Sequence, residues 1–209
     1  MIQSGVDEAG KGPVLGPMVI GLVSGDPLEF KNMGVKDSKA LSHQSRLKLF
    51  QMIKDSSEYV DWIIIKSTEL NEKMKESTLN VIEEQKVSEL ILNSPCTEVI
   101  VDSFDVNEER LSNLLSGITG KKIICRHRAD SSFPAVSAAS IVAKVIREEE
   151  MGKIREKYGN TGSGYPSDPV TIKFLSDSIK SGTDISEIVR NRWKTYTSLV
   201  SSLRQGHFP

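Results

Sequence analysis

A chain of 209 residues is long enough for one large domain with a substantial core. Its 27 Lys and Arg against 28 Asp and Glu leave a net charge of −1, so no global field attracts a polyanion, and any nucleic-acid surface must be a local patch. Its 2 cysteines, Cys96 and Cys125, form no CxxC or Cys/His cluster, which argues against a disulfide framework or structural zinc and fits a reducing cytoplasm. No run approaches the roughly 18 apolar residues of a membrane span, and Met1-Ile2-Gln3-Ser4 lacks the basic and apolar regions of a signal peptide.

The first apolar stretch, 2–6, predicts a short strand, and 18–23 predicts a second. Between them lie Asp7, Glu8, Gly10, Lys11, Gly12, Pro13, Gly16 and Pro17, which read as turn chemistry and make a hairpin. Strand side chains alternate faces, so Asp7 and Glu8 share a site only if the strand ends or bulges there. Residues 34–41 read as a polar loop. Ser42 is a candidate N-cap for a helix over 43–54, with Leu47, Phe50 and Ile53 on one face.

A third strand is predicted at 60–66. A helical pattern over 69–92 breaks near Glu76-Ser77 and places Leu79, Ile82, Val87, Leu90 and Ile91 for burial. Strands at 97–101 and 121–125 lead into Asp102 and Asp130, with a short helix over 106–115 between them. A long helix over 133–158 opens with Ala135, Ser137, Ala138, Ala139 and Ser140, small enough to approach a sheet closely. A Gly/Pro loop at 159–169 precedes helices at 170–181 and 192–203. This order predicts an α/β mixed five-stranded sheet flanked by helices: three antiparallel strands, then strands joined by right-handed crossovers. Its organisation reads as 1–158 with a packed C-terminal helical region, 159–209, in a single structural unit.

Asp7, Glu8, Asp102 and Asp130 thus fall at three strand ends, where sites form in open α/β sheets. Clustered carboxylates repel unless a hard divalent cation joins them, and two such ions suit phosphodiester hydrolysis. Solvated caps are the alternative. Gly5-x4-Gly10-Lys11-Gly12 has a P-loop frame, but Gly12 lacks the hydroxyl that reaches Mg²⁺, and two carboxylates sit where phosphates would. Lys11, Lys39, Lys144 and the amides of Gly10 and Gly12 are candidate phosphate contacts, and Arg126, Arg128, Arg190, Arg192 and Lys194 a candidate basic rim. Tyr165, between Gly164 and Pro166, reads as a stacking residue for a sugar or base, or as a packing anchor.

Taken together, these residues resemble the type 2 ribonucleases H, ribonuclease HII. Gly5-Val-Asp-Glu-Ala-Gly-Lys-Gly-Pro-Val-Leu-Gly-Pro17, Asp37-Ser-Lys39, Val101-Asp102, His127-Arg-Ala-Asp130, Ser137-Ala-Ala-Ser-Ile-Val-Ala-Lys144 and Gly162-Ser-Gly-Tyr-Pro-Ser-Asp168 match the family's blocks, in a wording similar to the archaeal branch. The resemblance implies a ribonuclease H-like fold and an endonuclease that cuts the RNA strand of RNA–DNA hybrids and ribonucleotides embedded in DNA. It implies 3′-hydroxyl and 5′-phosphate ends and a need for Mg²⁺ or Mn²⁺. Carried over, Asp7, Glu8, Asp102 and Asp130 are the catalytic metal ligands. Gly10, Lys11, Gly12 and Tyr165 read the 2′-hydroxyl, and Lys39 and Lys144 contact phosphate or the active site.

The usual GRG is Gly10-Lys11-Gly12 here, so a fork-like arginine contact is lost while amide reading survives. Gln205-Gly-His-Phe-Pro209 does not complete a clamp-binding box, so sliding-clamp binding is not expected; nor is the N-terminal domain of type 3 enzymes, since little sequence precedes Asp7. A monomer with no membrane association is expected. A non-catalytic nucleic-acid-binding protein and a nucleotide-binding phosphotransferase are the competing readings; the acid set opposes the first and Gly12 the second.

Overall fold

The computed structural model describes residues 2–35 and 42–204. Asp37, Ser38, Lys39 and the 205–209 segment lie outside the described residues. The described chain divides into two compact units, one within 1–9, 19–63 and 80–146, the other within 10–18, 64–79 and 147–209.

The first unit carries the expected mixed sheet. Strands β1 (Gln3–Ala9), β2 (Met18–Gly25), β3 (Tyr59–Ile65), β4 (Glu98–Asp102) and β5 (Lys122–Arg126) lie in the order β3-β2-β1-β4-β5. β1 and β2 pair antiparallel in unbroken register from Gln3↔Gly25 to Ala9↔Val19. The strand therefore neither ends nor bulges at Asp7-Glu8, and the pleat assigns these neighbours to opposite faces. β4 runs parallel to both β1 and β5. The last β1–β4 pair is Val6↔Val101, so Asp7 and Asp102 follow it side by side, where the parallel pairing stops, although β1 itself continues to Ala9 against β2.

Helix α6 (Pro134–Tyr158) covers the face of the sheet that bears Asp7. It approaches closely because β1 and β2 offer glycines: a Cβ on Gly5 would fall 2.3 Å from the Val136 amide nitrogen, and one on Gly21 2.7 Å from the Ala139 carbonyl. Ala135, Val136, Ala138, Ala139, Val142 and Ala143 are buried there. Gly5 and Asp7 alternate onto one face, so the helix that packs on Gly5 reaches Asp7 one turn later.

The remaining helices of this unit follow local signals. α1 (Pro27–Met33) was not expected, although its Asp26 N-cap and Pro27 are a recognisable start. α2 (His43–Ser56) starts at Ser42 as expected, but buries Leu49, Phe50 and Ile53 and leaves Leu47 exposed. The break in the 69–92 pattern separates α3 (Ser67–Lys73), in the second unit, from α4 (Leu79–Leu92). α4 buries Glu83 and Glu84 beside Ile82, Val87, Leu90 and Ile91, whereas Leu79, expected to be buried, is only half-buried at the start of the helix. Glu84 accepts a hydrogen bond from Arg110 at 2.6 Å. Arg110 belongs to α5 (Glu108–Thr119), whose N-cap is Asn107.

In the second unit, Val14, Leu15, Leu175, Ile185, Ile188 and Val189 form a buried cluster with Trp193 and Tyr196 against it. α7 (Pro169–Ser181) opens on the Asp168 cap and ends at left-handed Gly182, and α8 (Lys194–Arg204) follows. No helix among the described residues is long and apolar enough to cross a membrane.

Candidate active site

Asp7 is buried inside a structure that does not neutralise it completely. Burial is the main force pushing its pKa from 3.8 to about 7, and the nearby Asp102 charge adds to the rise. Hydrogen bonds from the Ser140 side chain and the Glu8 amide, the latter at 2.7 Å, oppose it, as does the Lys144 charge. Lys144 donates to the Ser140 hydroxyl at 2.8 Å, so α6 delivers a lysine–serine–carboxylate chain to the strand end. Ser140 and Lys144 are one turn apart, which puts both on the face that meets Asp7.

Asp102 accepts the Ala129 amide at 2.9 Å. Ala129 opens the 3₁₀ turn Ala129–Ser131 that carries Asp130. Arg128 precedes it in the left-handed region, at φ 55° and ψ 36°, and this turn swings the chain after β5 back toward β4. The Asp130 carbonyl accepts the Ser137 hydroxyl, tying the turn to the start of α6. Asp7 and Asp102 are thus electrostatic neighbours, and Asp130 lies beside the residue that binds Asp102. Glu8, by the pleat, starts from the other face. Among the described residues, no three Asp, Glu, His or Cys side chains converge closely enough to hold a metal unaided.

The donor set fits a hard cation nevertheless. A carboxylate whose ionisation is made costly by burial, with a second carboxylate beside it, keeps its charge at less cost when a divalent ion binds, and all the donors are oxygens.

Gly10, Lys11 and Gly12 lie in the second unit, together with Tyr165. A Cβ on Gly12 would stand 3.9 Å from the Tyr165 ring, and one on Gly10, at φ 85°, would fall 2.4 Å from Arg147 Nε. The Arg147 guanidinium lies 5.3 Å from the centre of the Tyr165 ring, and its Nη2 donates to the Ser163 carbonyl at 3.1 Å. The Gly164 carbonyl accepts the Val14 amide at 2.8 Å, joining the tyrosine loop to the stretch that follows Gly12. Tyr165 itself is 40 % exposed. A glycine pair, an aromatic face and a buried cation beneath it form a surface suited to a sugar edge.

Two residues here escaped the sequence reading. Arg190, expected in a basic rim, is fully buried. It donates to the carbonyls of Gly10 at 2.7 Å, Lys11 at 3.0 Å and Gly16 at 2.9 Å. Arg147, read only as part of a charged helix face, is 7 % exposed. Backbone carbonyl partners leave no pattern in a sequence, so neither burial could be read from it. The second unit also holds a cavity of about 430 Å³ lined by Gly16, Ser67, Lys153, Tyr158 and Glu187, among others; it contains none of the acids.

A mixed sheet in this order, with carboxylates at the ends of its central parallel strands, defines a ribonuclease H-like enzyme. The family model for ribonuclease HII matches residues 4–196. The ribonuclease HII of Picrophilus torridus is 46 % identical over 207 residues, covering 99 % of this chain and 100 % of that protein. The ribonuclease H2 structure from Pyrococcus horikoshii OT3 superposes with a TM-score of 0.91 at 35 % identity, covering 98 % of this chain and 100 % of that one. The ribonuclease HII of Archaeoglobus fulgidus, solved in a complex with PCNA, gives a TM-score of 0.90 at 42 % identity, covering 94 % of this chain and 96 % of that one.

The chain belongs to the ribonuclease HII family. It is a metal-dependent endoribonuclease that cleaves RNA in RNA–DNA hybrids and at ribonucleotides embedded in DNA. One expectation is corrected by these relatives. The incomplete box at 205–209 argues against clamp association, yet a relative 42 % identical was crystallised with its clamp. The absence of a short motif is a weak ground beside that complex.

Proposed function

We propose that Asp7, Glu8, Asp102 and Asp130 hold Mg²⁺ or Mn²⁺ and that the reaction leaves 3′-hydroxyl and 5′-phosphate ends. The observation that carries this reading is buried Asp7 with its pKa pushed up to about 7, beside Asp102. When bound, two such ions supply an activated water and neutralise charge at the leaving oxygen. The chain's own residues prepare that chemistry. Ser140 orients the Asp7 carboxylate, and Lys144 polarises Ser140 while contributing positive charge where a phosphate arrives. The Ala129 amide fixes one Asp102 oxygen and so orients that carboxylate at the site.

Substrate reading is assigned to Gly10, Lys11, Gly12 and Tyr165. Backbone N–H groups of the glycine stretch donate to the 2′-hydroxyl, while Tyr165 packs on the sugar. Lys11 in place of the usual arginine is compatible with this, because the reading donors belong to the backbone. Lys39 is retained as a phosphate contact. The competing phosphotransferase reading has no hydroxyl at position 12 to support it.

Asp7→Asn and Asp102→Asn test the acids: cleavage is lost while hybrid binding persists, and normal turnover in either variant contradicts the assignment. Tyr165→Ala slows cutting at a single ribonucleotide in duplex DNA, and an unchanged rate removes Tyr165 from the site. A cytoplasmic location is proposed from the family's DNA-directed chemistry. The Archaeoglobus complex supports extending clamp association to this chain; co-elution with the clamp of its own organism tests it.

A further inference from the structure

We infer that Arg190 is a positioning residue that sets which backbone amides of the glycine stretch face substrate. The inference rests on the reading of Gly10-Lys11-Gly12 as the 2′-hydroxyl sensor. Arg190 is fully buried, and its backbone is anchored by its own amide, which donates to the Val14 carbonyl at 2.9 Å. Its guanidinium carbon lies 4.9 Å from the centre of the Trp193 ring, a cation–π contact that helps hold the group in place. From there Nη2, Nη1 and Nε take the carbonyls of Gly10, Lys11 and Gly16.

Every described peptide bond is trans. In a trans peptide the carbonyl of one residue and the N–H of the next point in opposite directions. Drawing the Gly10 carbonyl inward to Nη2 therefore turns the Lys11 N–H outward, and drawing the Lys11 carbonyl inward to Nη1 does the same for the Gly12 N–H. Gly12 is exposed, and no hydrogen bond to its N–H occurs among the described residues. The Gly12 amide is accordingly a donor available to a 2′-hydroxyl, and its direction, like that of the Lys11 amide, is fixed by one guanidinium. A charged group gripping the carbonyl ends also polarises these peptides toward stronger donation. Lysine at this position keeps the charge but is a single point donor and cannot hold three carbonyls in a plane.

The test measures discrimination rather than activity. In an Asp7→Asn background, affinity is compared for a DNA duplex with one embedded ribonucleotide and the same duplex in all-DNA form. Arg190→Lys, with folding verified by circular dichroism, is expected to lower that ratio roughly tenfold while leaving all-DNA binding unchanged. Gly12→Pro, which deletes one of the two amides, lowers it comparably. If Gly12→Pro lowers the ratio and folded Arg190→Lys does not, or if Arg190→Lys weakens both duplexes equally, the role of Arg190 is refuted while the sensor reading stands. An unchanged ratio in Gly12→Pro refutes the sensor reading itself and the inference with it. Should Arg190→Lys fail to fold, amide and guanidinium NMR on the otherwise wild-type chain decides. Shifts at both the Gly12 amide and the Arg190 guanidinium with the ribonucleotide duplex, absent with all-DNA, support the inference; a Gly12 shift without one at Arg190 refutes the role of Arg190 while the sensor reading stands, and no Gly12 shift refutes both.

Discussion

Burial makes ionisation of Asp7 expensive, and in the proposed metal site that cost is what a divalent ion relieves. Without divalent ions, Asp7→Asn removes a buried ionisable group beside Asp102, so the variant melts at or above the parent. Adding Mg²⁺ or Mn²⁺ raises the parent's melting temperature, because an ion bound at 100 times its Kd stabilises the native state by about 2.7 kcal/mol. The variant loses most of that rise and roughly 10²–10³-fold or more in cleavage. A variant that gains as much from the metal as the parent places the ion elsewhere. At this scale the proposed acids and Tyr165 stand out in the sequence because carboxylates after apolar runs and an aromatic in a Gly/Pro loop carry their chemistry in their own side chains. Arg190 and Arg147 were not, since beside Asn191, Arg192 and Lys194, or Glu148 to Glu150, an arginine reads as a solvated charge. Their actual partners include main-chain carbonyls and a ring distant in sequence.

The elements that carry the site depend on close backbone approach. Gly5→Ala would place a methyl 2.3 Å from the Val136 amide, which is backbone and cannot rotate away. α6 must then lift from β1, at a cost of about 1–3 kcal/mol or more. Because Ser140 and Lys144 ride on the same helix, cleavage falls together with stability. Denaturant unfolding with a parallel rate assay checks this; a stable, fully active variant contradicts the close packing.

The cap of α7 predicts a pH effect. Asp168 accepts the Ser163 amide and hydroxyl and the Val170 amide, which hold its pKa near 2 against an ordinary 3.8. A carboxylate with a depressed folded pKa stabilises fully above the unfolded value and loses that contribution as pH falls through the folded one. The parent therefore loses melting temperature between about pH 4 and pH 2 through this group, and Asp168→Asn, which can still cap, loses less over the same interval. Equal slopes refute the role of Asp168. The Ser42 cap of α2, the mixed five-stranded sheet and the small-residue start of α6 were readable from local pattern. The continuation of β1 to Ala9 was not, because its pairing with β2 overrides the turn chemistry of the glycines beyond it.

At the scale of the whole molecule, the four acids belong to one compact unit and Gly10, Lys11, Gly12 and Tyr165 to the other. The P-loop frame of the glycine stretch spans the point where the chain leaves the first unit, which is why that stretch misleads when read alone; the different tasks proposed for its acids and its glycines accord with the division. The correction about the clamp belongs here too, since association between whole proteins is not decided by five terminal residues. The most direct measurement compares cleavage of a duplex with one ribonucleotide, a long RNA–DNA hybrid and an all-DNA duplex, each with and without Mg²⁺ or Mn²⁺, in the parent and in Asp7→Asn. The parent with metal cuts the first two to 3′-hydroxyl and 5′-phosphate ends and leaves DNA intact, whereas the variant cuts none. Cleavage by Asp7→Asn at the parent's rate, or by the parent in a metal-free chelator, would contradict the account.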